Sequence, residues 1–125
     1  MKNKIVNIYH SVKDKEQAHN GMGLLEKVRP YTSKDFKSPV DFLDYVIVPS
    51  NASIGMHTHG ANEEVYFILK GEGTMIINHE GFKVCPGDII VNSVEGTHGL
   101  INDSKQNMEI FIFQVSLTKE ADTEQ

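Results

Sequence analysis

Histidine and glutamate gather in two short segments of this chain, and their spacing suits metal coordination. The first segment is Gly55-Met56-His57-Thr58-His59-Gly60-Ala61-Asn62-Glu63-Glu64-Val65-Tyr66. Side chains at i and i+2 of a strand point to the same face, so His57 and His59 aim together if this run is extended. On a helix the same spacing turns them to roughly opposite sides, where they cannot share an ion. A Gly-containing turn then leads to Glu64 at the start of the next apolar run. A hairpin there brings its carboxylate back beside both imidazoles. The second segment, Gly96-Thr97-His98-Gly99-Leu100-Ile101-Asn102, supplies His98. It is distant in sequence but within reach in a closed sheet. Three neutral imidazoles and one carboxylate are a donor set for a first-row divalent metal. Coordination positions left open would make the ion a chemical centre rather than a structural one.

Short strands must position these groups. Residues 41–116 are a train of apolar runs: Phe42–Val48, Gly55–His59, Val65–Leu69, Thr74–Ile77, Phe82–Val84, Ile89–Val91, Gly99–Ile101 and Met108–Val115. Each has strand rather than helix length. They are rich in Ile, Val, Phe and Tyr, which suit a pleated sheet. Gly, Pro, Asn and Ser separate them, and Asn78-His79-Glu80-Gly81 reads as a tight hairpin connection. Many short strands at close spacing predict an antiparallel sandwich or barrel. Residues 1–40 are mixed and polar, with turn signals at Asn20-Gly21, Pro30 and Pro39. A short helix before Asp41 is an open alternative there.

Composition narrows the function classes. The 125 residues make one domain of ordinary size. Twelve Lys and Arg against 17 Asp and Glu give a net charge of −5, which repels phosphate backbones and argues against a nucleic-acid partner. No apolar run approaches the ~20 residues of a membrane helix, so no membrane partner is expected. The first ten residues have a basic beginning without an apolar stretch after it, so they do not read as a secretory leader. One cysteine, Cys85, closes no internal disulfide and suits the cytoplasm.

In its two histidine segments the chain resembles the cupins. His57-x-His59, four residues, Glu64, six residues and Gly71 are similar to the first cupin motif. Gly87-Asp88-Ile89-Ile90-Val91-Asn92-Ser93 leading to His98 and Asn102 is similar to the second. The resemblance covers about residues 40–116. Ser93 stands where proline is usual, Glu95 where glycine is usual, and Asn51 where the first motif has its leading glycine. These departures bear on turn conformation more than on ligand supply. The resemblance implies an all-β fold, a double-stranded β-helix or jelly roll. It implies an N-terminal arm over 1–40, a β-barrel over 41–116 and a flexible tail over 117–125. Its expected ligands are His57, His59, Glu64 and His98, holding one divalent transition metal per chain: Mn, Fe, Ni, Co, Cu or Zn. It also implies a homodimer, with the arm crossing to the partner.

Other residues take lesser roles. Tyr66 follows Glu64 by two positions and shares its face; it is either a proton donor or pocket wall. Glu63 points away. Met75, Ile77, Leu100, Phe111 and Phe113 are candidate pocket lining, most of them equally suited to plain core. Asn102 serves a turn or supports the ligands from behind. Cys85, at a strand end without a basic neighbour, is expected to be a buried, inert thiol. His79 marks a hairpin tip, and an arm folding over the pocket would bring His19 near it. The expected function is that of a metal-binding cupin, an enzyme acting on an oxygen-rich small molecule: a carboxylate, keto acid or sugar. The alternative is a binding or sensor module without chemistry.

Overall fold

The computed structural model of the chain describes residues 5–118. Ten strands run β1 (Asp14–Glu16), β2 (Leu25–Thr32), β3 (Val40–Val48), β4 (Ser53–Thr58), β5 (Asn62–Lys70), β6 (Gly73–Ile77), β7 (Glu80–Val84), β8 (Ile89–Asn92), β9 (Thr97–Ile101) and β10 (Met108–Ser116). Two 3-10 turns, Ile8–His10 and Ser33–Asp35, are the only helical elements among the described residues. The larger sheet has the order β1-β2-β3-β10-β5-β8, and the smaller has β4-β9-β6-β7. Every pairing is antiparallel. The fold is the expected all-β jelly roll, and each of the eight apolar runs of residues 41–116 falls within or overlaps a strand.

The inner faces of the two sheets meet in one core. Val46, Val48, Tyr66, Ile68, Ile110 and Ile112 come from the larger sheet, and Ile54, Met75 and Leu100 from the smaller. Such burial is the main stabilising contribution, roughly 1.5–3 kcal/mol for each fully buried large apolar side chain. Between β6 and β7, Asn78 and His79 both have positive φ (48° and 71°), which matches the strand twist in a two-residue hairpin. His79 is therefore at the expected hairpin tip. At the opposite end of β9, fully buried Asn102 clamps a turn. Its amide nitrogen donates to the carbonyls of Val48 (2.8 Å) and Gln106 (2.7 Å), and its oxygen accepts from the Ser104 amide and hydroxyl.

Sheet structure begins well before residue 41. β2 pairs with β3 of the same chain, and β1 pairs with β2. In place of a helix just before Asp41 there is the Ser33–Asp35 turn, closed by reciprocal bonds between Thr32 and Asp35. The segment between β1 and β2 lies on β4: the Gly55 amide donates to the Ala18 carbonyl (3.0 Å) and the Ser53 amide to the Met22 carbonyl (2.9 Å). Of the expected tail, residues 119–125 lie outside the described residues.

Gly55 permits this contact, because a Cβ there would lie 2.0 Å from the His19 carbonyl oxygen. Gly55→Ala is expected to cost about 1–3 kcal/mol, as overpacking does. Gly60→Ala, with open space around its Cβ, should stay within about 0.5 kcal/mol of the parent. Thermal melts of the two variants check this difference.

Candidate metal centre

Four side chains from both sheets converge at one end of the barrel. In the smaller sheet His57 on β4 is the direct register partner of His98 on β9, which in turn pairs with Ile77 on β6. A bulge between Ile54 and His57 sets the register of β4. His59 lies just past the end of β4, with its amide donating to the Gly96 carbonyl (3.3 Å). The chain then crosses to the larger sheet, where Glu64 sits on β5 between Asn92 of β8 and Gln114 of β10. The cluster thus spans the β4–β5 crossover.

The donor atoms crowd one point. His59 Nε2 lies 3.1 Å, His98 Nε2 3.0 Å and His57 Nε2 3.6 Å from Glu64 Oε1. The Nε2 atoms of His59 and His98 are 3.2 Å apart, and one ligand atom from each of the four residues lies within 4.8 Å of the others. Donors about 2.0–2.2 Å from a shared first-row ion sit roughly 2.8–3.6 Å from one another across octahedral and tetrahedral angles. His57 Nδ1 donates to the Gly55 carbonyl (2.9 Å), which leaves the lone pair on Nε2. That nitrogen is buried without a hydrogen-bond partner. A bare imine nitrogen beside two imidazoles and a carboxylate fits a Lewis acid, and the cluster can hold a divalent metal ion.

Electrostatics agree with this donor set. Burial pushes the Glu64 carboxyl up, but the imidazoles around it outweigh burial and hold it down at about 2. Glu64 is thus an anion at neutral pH. Burial is the largest cause of the lowered pKa of His98, opposed by its bond to Glu64, so its ring is neutral and able to ligate. Tyr66 is fully buried, with its ring edge-on to His98 at 5.6 Å between centroids. Burial first, and the Glu64 charge second, push its hydroxyl well above the ordinary range, so it keeps its proton.

The other expected residues divide. Met75 and Leu100 are core, and Ile77 packs against the core beside His98. Phe111 and Phe113 do not line the site. Ile110 and Ile112 pair with Ile68 and Tyr66 on the inner face, so alternation puts both Phe rings on the outer one. Asn102 supports no ligand; it holds the turn described above. Cys85 is exposed rather than buried, one position beyond inward-facing Val84. The Asp88 carboxylate raises its pKa. His19 does reach the site, its ring stacked on His57 at 3.6 Å with 11° between planes.

Two further groups were missed. Buried Asn92 stands in register beside Glu64, with both amide atoms unpartnered. Asp44, 4% exposed, accepts from Arg29 Nε (2.7 Å) and Nη2 (2.9 Å). The signal for Asp44 was its parity: it shares a face with Phe42, Val46 and Val48.

The family model for a cupin domain matches residues 44–114, more than half of the chain. An uncharacterised protein, MJ1618 of Methanocaldococcus jannaschii, is 29% identical, covering 79% of this chain and 89% of that protein. An oxalate-binding protein of Thermotoga maritima is 29% identical over 62 residues, 50% of this chain and 51% of that one. The crystal structure of a predicted oxalate decarboxylase from Thermotoga maritima superposes with a TM-score of 0.88 at 20% identity, covering 90% of this chain and 99% of that one.

The cluster lies at the barrel end and the core elsewhere, so His59→Ala should separate binding from folding. Metal uptake is expected to fall from about one equivalent per chain to below about a tenth, while the cooperative melt survives. Elemental analysis and circular dichroism check the two halves of this expectation.

Proposed function

The chain belongs to the cupin family, and from that premise we propose that it binds one divalent transition metal through His57, His59, Glu64 and His98 and acts on an oxygen-rich small molecule held there. The observation that carries this reading is the convergence of three Nε2 atoms on one carboxylate oxygen, within 3.0–3.6 Å. When bound, such a metal supplies Lewis acidity toward a carbonyl or carboxylate oxygen. The chain's own groups do the rest. Glu64 offsets the positive charge, and the core around Tyr66 limits the access of water. Tyr66 keeps its hydroxyl proton and bonds through it to Glu64, which holds that carboxylate toward the site. The oxalate named for the Thermotoga relative favours a carboxylate over a keto acid or sugar.

A second reading is a binding or sensor protein without turnover, in which that same Tyr66 is pocket wall. A phenol held far above its ordinary pKa is a hydrogen-bond donor rather than a base at neutral pH. The outer face of the larger sheet carries exposed Phe67, Ile89 and Val91 near Phe111 and Phe113. This apolar patch supports a homodimer, and the single free thiol suits the cytoplasm.

A thermal-shift screen of the metal-loaded protein against carboxylates, keto acids and sugars tests the reading. A ligand at about 100 times its Kd should stabilise the native state by about 2.7 kcal/mol. Turnover of that ligand marks an enzyme, and tight binding without turnover marks a sensor. Metal-loaded protein stabilised by none of the three classes contradicts both.

A further inference from the structure

The histidine cluster adjoins a cavity of about 80 Å³ that extends away from it toward β2 and β3. Glu64, Tyr66 and His19 wall one part of it, and Arg29, Asp44 and Phe42 another. Arg29 is fixed from two directions. Its Nε and Nη2 donate to the two oxygens of Asp44, and its guanidinium carbon lies 4.0 Å above the centre of the Phe42 ring. Nη1 takes part in neither of those bonds. The side chain is 39% exposed, so the fork is held in place yet open to a ligand. Lys27, the other cation on the cavity, is engaged by Glu16 at 2.9 Å.

An ion pair is an expensive way to fill this place. Asp44 pairs in register with buried Ile112 and shares its face with Val46. Desolvating the Asp44 carboxylate there offsets much of what its attraction to the half-exposed Arg29 returns, and an apolar residue of similar volume would fill the place without that cost. A planar, pre-positioned guanidinium does what apolar residues cannot: it recognises a carboxylate by directed hydrogen bonds at little further entropy cost.

We propose that Arg29 determines ligand specificity, its guanidinium receiving an anionic carboxylate of a small molecule whose other oxygens lie at the His57, His59, Glu64 and His98 cluster. This rests on the metal-centre reading above. Asp44 is the positioning residue that holds the fork. The small size of the cavity suits short ligands such as dicarboxylates of two or three carbons. A neutral polyol offers Arg29 no charge and is discriminated against.

The test is titration calorimetry on the full-length, metal-loaded protein with oxalate, malonate, inorganic phosphate and ethylene glycol, after metal content is measured for each variant. Arg29→Met leaves Asp44 buried and unpaired and is open to misfolding. The double variant Arg29→Met/Asp44→Asn removes both charges and keeps the volume. It should bind metal like the parent and lose at least roughly tenfold in affinity for oxalate or malonate. Arg29→Lys should keep the charge, lose the fork and fall between the two. The proposal is overturned if the double variant binds the dicarboxylates as tightly as the parent. Parent protein that prefers ethylene glycol, or that takes phosphate but neither dicarboxylate, overturns it equally. Absence of metal uptake in the parent, seen before any ligand is added, instead overturns the metal-centre reading and this proposal with it.

Discussion

Imidazole nitrogens and carboxylate oxygens come this close in a buried place only when something resolves their competition. His59 and His98 both direct Nε2 at one oxygen of Glu64 and stand 3.2 Å from each other, while His57 offers a lone pair to no protein donor. Protons can satisfy some of these contacts, but one cation among the four residues satisfies all of them. The cluster also joins the two sheets. His57 and His98 belong to the smaller one and Glu64 to the larger, so packing between the layers sets the distances among the donors. The core of Ile54, Tyr66, Met75, Leu100 and Ile112 is the rigid support of the site as well as the source of stability.

The N-terminal strands complete what the barrel leaves open. β2 brings Arg29 to Asp44, and the loop before it lays His19 flat on His57. Gly55 allows that loop to touch β4, and the bulge that follows turns His57 inward. Residues 14–32, polar and unremarkable in composition, thereby form one side of the cavity. Arg29 and His19 there are separated from the two histidine motifs in sequence but not in space.

Much of this was legible from residue types. The eight apolar runs between turn formers located β3–β10, and period-two geometry paired His57 with His59 and Glu64 with Tyr66. β2 escaped because a bulge between Val28 and Tyr31 breaks its alternation, and Pro30 lies within that bulge. Phe111 and Phe113 were misplaced because residues 110–113 are apolar at both parities; only the pairing of Ile112 with Tyr66 reveals which side is inward. Asn102 was ambiguous because turn and site roles use the same side chain, and its bonds to Val48 and Gln106 decide for the turn. Arg29 and Asp44 lie fifteen positions apart on adjacent strands, and such a pair is visible only once the register is known.

Anomalous diffraction at the absorption edge of a supplied first-row metal tests the central claim most directly. The account predicts one strong peak per chain, about 2.0–2.3 Å from Nε2 of His57, His59 and His98 and from a carboxylate oxygen of Glu64. A structure of metal-soaked protein with no peak among these four side chains, or with the metal only at exposed histidines such as His79, would contradict it.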